Sequence, residues 1–213
     1  MLPLLSCLPS VDPDTRDLIA VIETPKGSPN KYKFEQKFGA FVLNTVMPKG
    51  SFFPYDFGFI PSTLGEDGDP LDVLVFMDDP APVGCLVAIR LVGAIEAEQR
   101  EENGETKRND RLLAVAIKSP THANINDLDD LQPSLLDEVE TFFITYTGQR
   151  GKKFRPIGLP APVRLGRSLR RGGSYSNRSN PVQDNTAHGA RTGGRSTLPR
   201  QEALSHSIAP APR

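Results

Sequence analysis

The chain has 213 residues with 25 Lys and Arg against 26 Asp and Glu, enough for one large domain or one domain with an extension. The net charge of −1 hides an asymmetry: from Gly166 onward there are eight Arg, no Lys and two acids, so that end carries about +6 and the rest about −7. An acidic body argues against nucleic-acid binding, which needs a basic face, and two cysteines, Cys7 and Cys85, make neither a disulfide framework nor a zinc site, which points to a reducing, cytoplasmic compartment.

In chain order, residues 1–17 lack a basic start and are too short for a signal peptide, so they read as a short disordered leader with some apolar residues able to dock on the body. Leu18–Thr24 is rich in β-branched residues and stops at Pro25, which predicts a strand. Lys31–Phe34 alternates polar and apolar, and Phe41–Met47 forms another strand ending at Pro48. Ser51–Thr63 is aromatic but broken by Pro54, Gly58 and Pro61. The turn Gly65–Pro70 leads into a buried strand over Leu71–Met77, and Cys85–Ala97 and Arg111–Lys118 follow as two more. Between them Gln99–Asp110 is a charged hairpin-like connection whose Asn103-Gly104 pair favours a tight turn. Leu135, Leu136, Val139, Phe142, Phe143 and Tyr146 recur at helical spacing, with Ser134 as cap and Gly148 as stop. The pattern predicts a mainly β (α+β) domain over residues 18–165, a small barrel with helices packed outside. No apolar run approaches membrane-spanning length. Residues 166–213, dominated by Arg, Ser, Gly, Pro and Asn, bury too little apolar surface to offset their ordering entropy and are expected to be disordered.

The chemistry concentrates in Asp67-Gly68-Asp69-Pro70-Leu71-Asp72, three aspartates on a turn entering a strand. Anionic groups held together repel unless a cation sits among them, and hard oxygen ligands select magnesium or manganese over zinc. By itself the stretch also fits a solvated acidic turn. A calcium loop of the EF-hand type fails, because Leu71 takes the fifth position and Pro70 breaks the pattern. The body contains one histidine, His122, and no phosphate-binding Gly-x-x-x-x-Gly-Lys loop, which leaves histidine-based transfer, a serine triad and a nucleotide P-loop unsupported.

Asp67 to Val75 resembles the signature of soluble class I inorganic pyrophosphatases. Asn30–Phe34, Phe53–Pro61, Arg108–Arg111 and Phe142-Phe143 with Tyr146 are similar to family segments in family order. The resemblance implies a five-stranded barrel of OB type with flanking helices, a magnesium-dependent site at its mouth (manganese as substitute), pyrophosphate as substrate, and a homo-oligomer, a hexamer in bacteria. It implies Asp67 and Asp72 as metal ligands, Asp69 as general base, and Glu23, Glu101 and Glu102 as further metal-site acids. Lys31, Arg111, Tyr146 and Lys152 match phosphate ligands. Without the resemblance, Glu23 reads as a solvated strand end, the Glu101-Glu102 pair as a solvated hairpin, and each Lys or Arg as surface charge.

The chain departs from the family pattern at several places. Thr45 stands where relatives carry an arginine, Phe53 and Phe57 replace tyrosines, Lys33 replaces a glutamate, Asn109 an aspartate with Asp110 adjacent, Arg111 a lysine, and Thr147 another lysine. Loss of a guanidinium at Thr45 removes a bidentate phosphate contact. Thr45, Phe53, Phe57 and Asn109 favour an alternative, a non-catalytic relative that binds phosphate or cations, which the intact Asp67, Asp69 and Asp72 oppose. A barrel that binds oligonucleotides would use the aromatics Phe52, Phe53, Tyr55, Phe57 and Phe59, but the acidic body opposes it. Deleting Gly166–Arg213 is expected to leave activity unchanged; phosphate release by the truncated and full-length proteins at equal concentration checks this.

Overall fold

The computed structural model describes residues 5–66 and 68–159, and the segment expected to be disordered lies outside the described residues. Within them the chain forms β1 (Leu18–Thr24), β2 (Asn30–Glu35), β3 (Ala40–Val46), β4 (Asp56–Phe59), β5 (Asp72–Phe76), β6 (Leu86–Arg100), β7 (Thr106–Arg108), β8 (Arg111–Ala116), α1 (Pro133–Gly148) and β9 (Lys153–Gly158). Five strands pair in the order β1-β4-β5-β8-β6, and β6 pairs back to β1, which closes a ring and removes its open edges. This is the five-stranded OB-type arrangement that the resemblance implied. One α-helix flanks it among the described residues where several were expected; the other helical pieces are 3-10 turns.

Two layers of side chains explain why β5 and β8 read as nearly continuous apolar runs. Alternate residues Val73, Val75, Leu112 and Ala114 join Ala20, Ile22, Ile89 and Ala94 in a cluster of aliphatic residues inside the ring. Leu74, Phe76, Leu113 and Val115 point outward into a second cluster with Phe53, Phe57, Val139, Phe143 and Phe154. β5 and β8 run parallel, and parallel strands are normally covered on both faces. The α1 stripe of Val139, Phe143 and Tyr146 is buried on this outer layer. The hairpin β2–β3 is a separate two-stranded sheet, seated through Phe34 on Val21 and Phe59. Leu5 packs on that same cluster, and Val11 bridges to Leu18.

Several boundaries differ from the sequence expectation for local reasons. β4 forms inside the aromatic block because its four residues fit between Pro54 and Pro61. β9 went unread because it contains Pro156; as an edge strand paired to β6 it tolerates a residue with no N–H to donate. The helix starts at Pro133, whose fixed φ suits the first helical position, so Ser134 lies inside the helix and Gln132 takes the cap position. No helix among the described residues is long and apolar enough to cross a membrane.

Gly58 in β4 is fixed by close approach: a Cβ there would stand 1.9 Å from the backbone oxygen of Val21. Gly58→Ala is expected to force β1 and β4 apart and cost about 3 kcal/mol of stability, read as a lower midpoint in urea unfolding.

Candidate active site

Strand register delivers the charged residues to one end of the ring. Asp72 is the first residue of β5 and Arg111 the first of β8, and the parallel register that sets Val73 opposite Leu112 brings the two side by side. Glu23 lies near the end of β1, Lys31 and Lys33 on β2, Glu101 just beyond β6, and Tyr146 on the last turn of α1. Lys152 precedes β9, whose pairing of Lys153 with Arg100 carries it beside Glu101. Glu23, Lys31, Asp69, Asp72, Glu101, Arg111, Tyr146 and Lys152 all line one cleft of about 600 Å³. Of the remaining expected residues, Glu102 is exposed and does not line it, and Asp67 lies outside the described residues.

The four carboxylates that line it and were expected at the site each face a cation of the protein. Lys31 Nζ is 3.0 Å from Glu23 Oε2, Lys33 Nζ 2.8 Å from Asp69 Oδ2, Arg111 Nη1 2.5 Å from Asp72 Oδ2, and Lys152 Nζ 2.6 Å from Glu101 Oε2. These pairs have electrostatic consequences. Burial pushes the Asp72 carboxyl above its ordinary value, and Arg111 and Lys31 pull it back only in part. Burial lowers Lys31 against the opposing charge of Glu23. Burial would also lower Lys33, but its hydrogen bond to Asp69 and the charges of Asp69, Glu23 and Glu35 outweigh that and raise it. Glu101 is held low by the hydrogen bonds from Lys152 and Gln99. Tyr146 is raised by burial, although Arg150 donates to its hydroxyl at 2.9 Å.

The departures from the family pattern take on structural meaning here. Phe57 and Phe53 lie beneath Lys31, whose Nζ is 3.9 Å and 5.9 Å from the two ring centroids, a cation–π seat that needs no phenol hydroxyl. Asn109 lines the cleft and accepts from Arg111, whereas Asp110 turns away to accept from the Ala97 N–H at 3.0 Å and from Arg108 at 2.5 Å. Thr45 sits opposite Lys31 in the hairpin and donates to Asn44 Oδ1 at 3.1 Å. Arg150, which the sequence reading passed over, also lines the cleft. Its signal was present: it follows Tyr146 by four residues, just beyond the end of α1.

Among the described residues, no three His, Cys, Asp or Glu side chains converge within reach of one ion. The donor set is nonetheless of one chemical kind, carboxylate oxygens at Glu23, Asp69, Asp72 and Glu101, which suits a hard divalent cation. The cations that line the same cleft suit a multivalent oxyanion.

A family model described as inorganic pyrophosphatase matches residues 20–159. The chain is 39% identical over 149 residues to the inorganic pyrophosphatase of Thermus thermophilus, covering 70% of this chain and 82% of that one. It is also 39% identical over 138 residues to that of a Nostoc species, covering 65% and 79%. Among solved structures, the inorganic pyrophosphatase of Thermus thermophilus superposes with a TM-score of 0.72 at 34% identity, covering 80% of this chain and 97% of that one. That of Helicobacter pylori gives 0.68 at 34% identity, covering 76% and 95%.

The Lys31–Glu23 pair can be tested without any reaction, since both side chains are buried. Lys31→Met leaves Glu23 Oε2 without its ammonium and is expected to cost about 3 kcal/mol, read by chemical denaturation.

Proposed function

The chain belongs to the inorganic pyrophosphatase family, and from that premise we propose that it hydrolyses inorganic pyrophosphate to two phosphates with magnesium as cofactor and manganese as a substitute. The observation that carries the reading is the composition of the cleft, where Glu23, Asp69, Asp72 and Glu101 stand among Lys31, Arg111, Arg150 and Lys152. Carboxylates alone would serve a cation store and cations alone an anion trap. Both together suit a metal-bound, multiply charged phosphate.

Asp67, Asp72 and Glu23, with Glu101 just beyond β6, would hold the metal, which would supply a water of lowered pKa when bound; Glu102, exposed outside the cleft, is left out of this set. Asp69 would orient the attacking water and accept its proton as the water oxygen bonds to one phosphorus. The bond from that phosphorus to the bridging oxygen breaks, and the second phosphate leaves with the oxygen. The proton held at Asp69 passes to the leaving phosphate or to solvent, so no covalent enzyme intermediate is needed. Lys31, Arg111 and Lys152 neutralise the charge that builds on the phosphates, and Tyr146 donates its hydroxyl. Arg111 is well suited, because its buried Nε has no hydrogen-bond partner among the described residues and a guanidinium binds phosphate through two N–H groups. Arg150 supplies a guanidinium to a cleft that Thr45 cannot serve. A cytoplasmic location and a homo-oligomeric state, a hexamer by the family resemblance, belong to the same reading.

Phosphate release from pyrophosphate is expected to require magnesium and to fall about 10²- to 10⁴-fold in Asp69→Asn. Release that survives the substitution removes Asp69 from the base role. No release from folded protein at any metal concentration favours the non-catalytic relative.

A further inference from the structure

The four ion pairs of the cleft differ in how easily they can exchange partners. Lys31–Glu23 is sealed, with side chains only 10% and 8% exposed, and in Arg111–Asp72 the arginine is 7% exposed. Lys152–Glu101 is about a quarter exposed on both sides. Lys33–Asp69 is the open one, at 37% and 54%. It also spans two elements that no backbone ladder joins: Lys33 belongs to the β2–β3 hairpin, and Asp69 to the turn in which the Gly65 N–H donates to the Asp69 carbonyl at 2.7 Å.

We propose that Lys33 is a resident counter-ion of Asp69 that competes with divalent cations for the carboxylate cluster, so that this chain loads metal weakly until a phosphate anion arrives to take the ammonium. The proposal rests on the reading of the cleft as a pyrophosphate site. Its physical basis is charge exclusion. An ammonium 2.8 Å from Asp69 Oδ2 occupies that carboxylate and places a positive charge in the cleft, where it repels any dication drawn to Asp72 or Glu23. The half-exposed pair is screened by water, so its hold is modest and reversible. Lysine is a point charge on a flexible stem, and the same ammonium can turn to a phosphate oxygen without moving the backbone. Metal and anion then bind with positive coupling: each removes the obstacle to the other, and by linkage the effect is reciprocal.

The test titrates magnesium into the full-length protein by calorimetry, with thermal stabilisation as a second readout, with and without methylenediphosphonate, a diphosphate analogue that is not hydrolysed. Lys33→Gln removes the charge and Lys33→Arg keeps it. Without the diphosphonate, Lys33→Gln is expected to bind magnesium roughly 3- to 10-fold more tightly than wild type, with Lys33→Arg close to wild type. The gain in magnesium affinity caused by the diphosphonate is expected to shrink in Lys33→Gln. Equal or weaker magnesium binding by Lys33→Gln overturns the proposal, as does an equal gain in Lys33→Arg. If wild type binds both probes and the variants match it, only the role of Lys33 falls. If folded wild type binds neither probe, the pyrophosphatase reading falls with it.

Discussion

Glu23 and Lys31 meet at 3.0 Å with almost no access to water, and the position of the β2–β3 hairpin depends on that contact. The hairpin forms no ladder with the ring, so side chains must attach it. Two charges taken out of water are costly unless every remaining bonding position is filled. Here Glu23 Oε1 accepts the Phe34 N–H at 2.8 Å, and the ammonium rests on the face of Phe57. Thr24 Oγ1 accepts the Tyr32 N–H at 3.1 Å beside them. With the end of β1 and the middle of β2 fastened in this way, Lys33 follows two residues later on the side facing the aspartate turn.

The remaining charged contacts come from strand register. Asp72 and Arg111 are neighbours because β5 and β8 run parallel and start together. Glu101 and Lys152 are neighbours because β6 runs past the ring far enough for β9 to pair with its final residues. The same scaffold thus gathers acids and bases together, with five acids and seven bases lining the cleft. A rim of carboxylates alone would strain the fold by self-repulsion, whereas this rim stays compact before any ligand enters.

Much of this could be read from the sequence, and the limits have physical causes. The β-branched run at Leu18–Thr24 and the apolar run before Met77 became strands because their apolar residues had a core to fill. The turn around Asp69 and its place before β5 were visible in the spacing of the aspartates and in Pro70. What escaped was non-local. Nothing in the order Asn109-Asp110 says which carbonyl side faces the cleft; the pairing of β8 with β6 decides that Asn109 faces in and Asp110 binds Arg108. In the sequence Lys33 is only a departure from a family pattern; the fold sets its ammonium 2.8 Å from Asp69 Oδ2. Arg150 falls after the last turn of α1, where a basic residue looks like ordinary surface charge.

Closure of the ring sets an order on how the molecule is made. Closure of β1 on β6 must wait for β6, since Val21 pairs with Leu86, roughly 65 residues further along the chain. Contacts of such long span form only after loop-closure entropy has been overcome, and folds that rely on them fold slowly. The β1–β4 and β4–β5 pairings join segments nearer in sequence and can precede it. On ribosomal synthesis, then, the first carboxylates emerge long before the strand that fixes β1 in place. The charged end of the ring is expected to be among the last regions to leave bulk water.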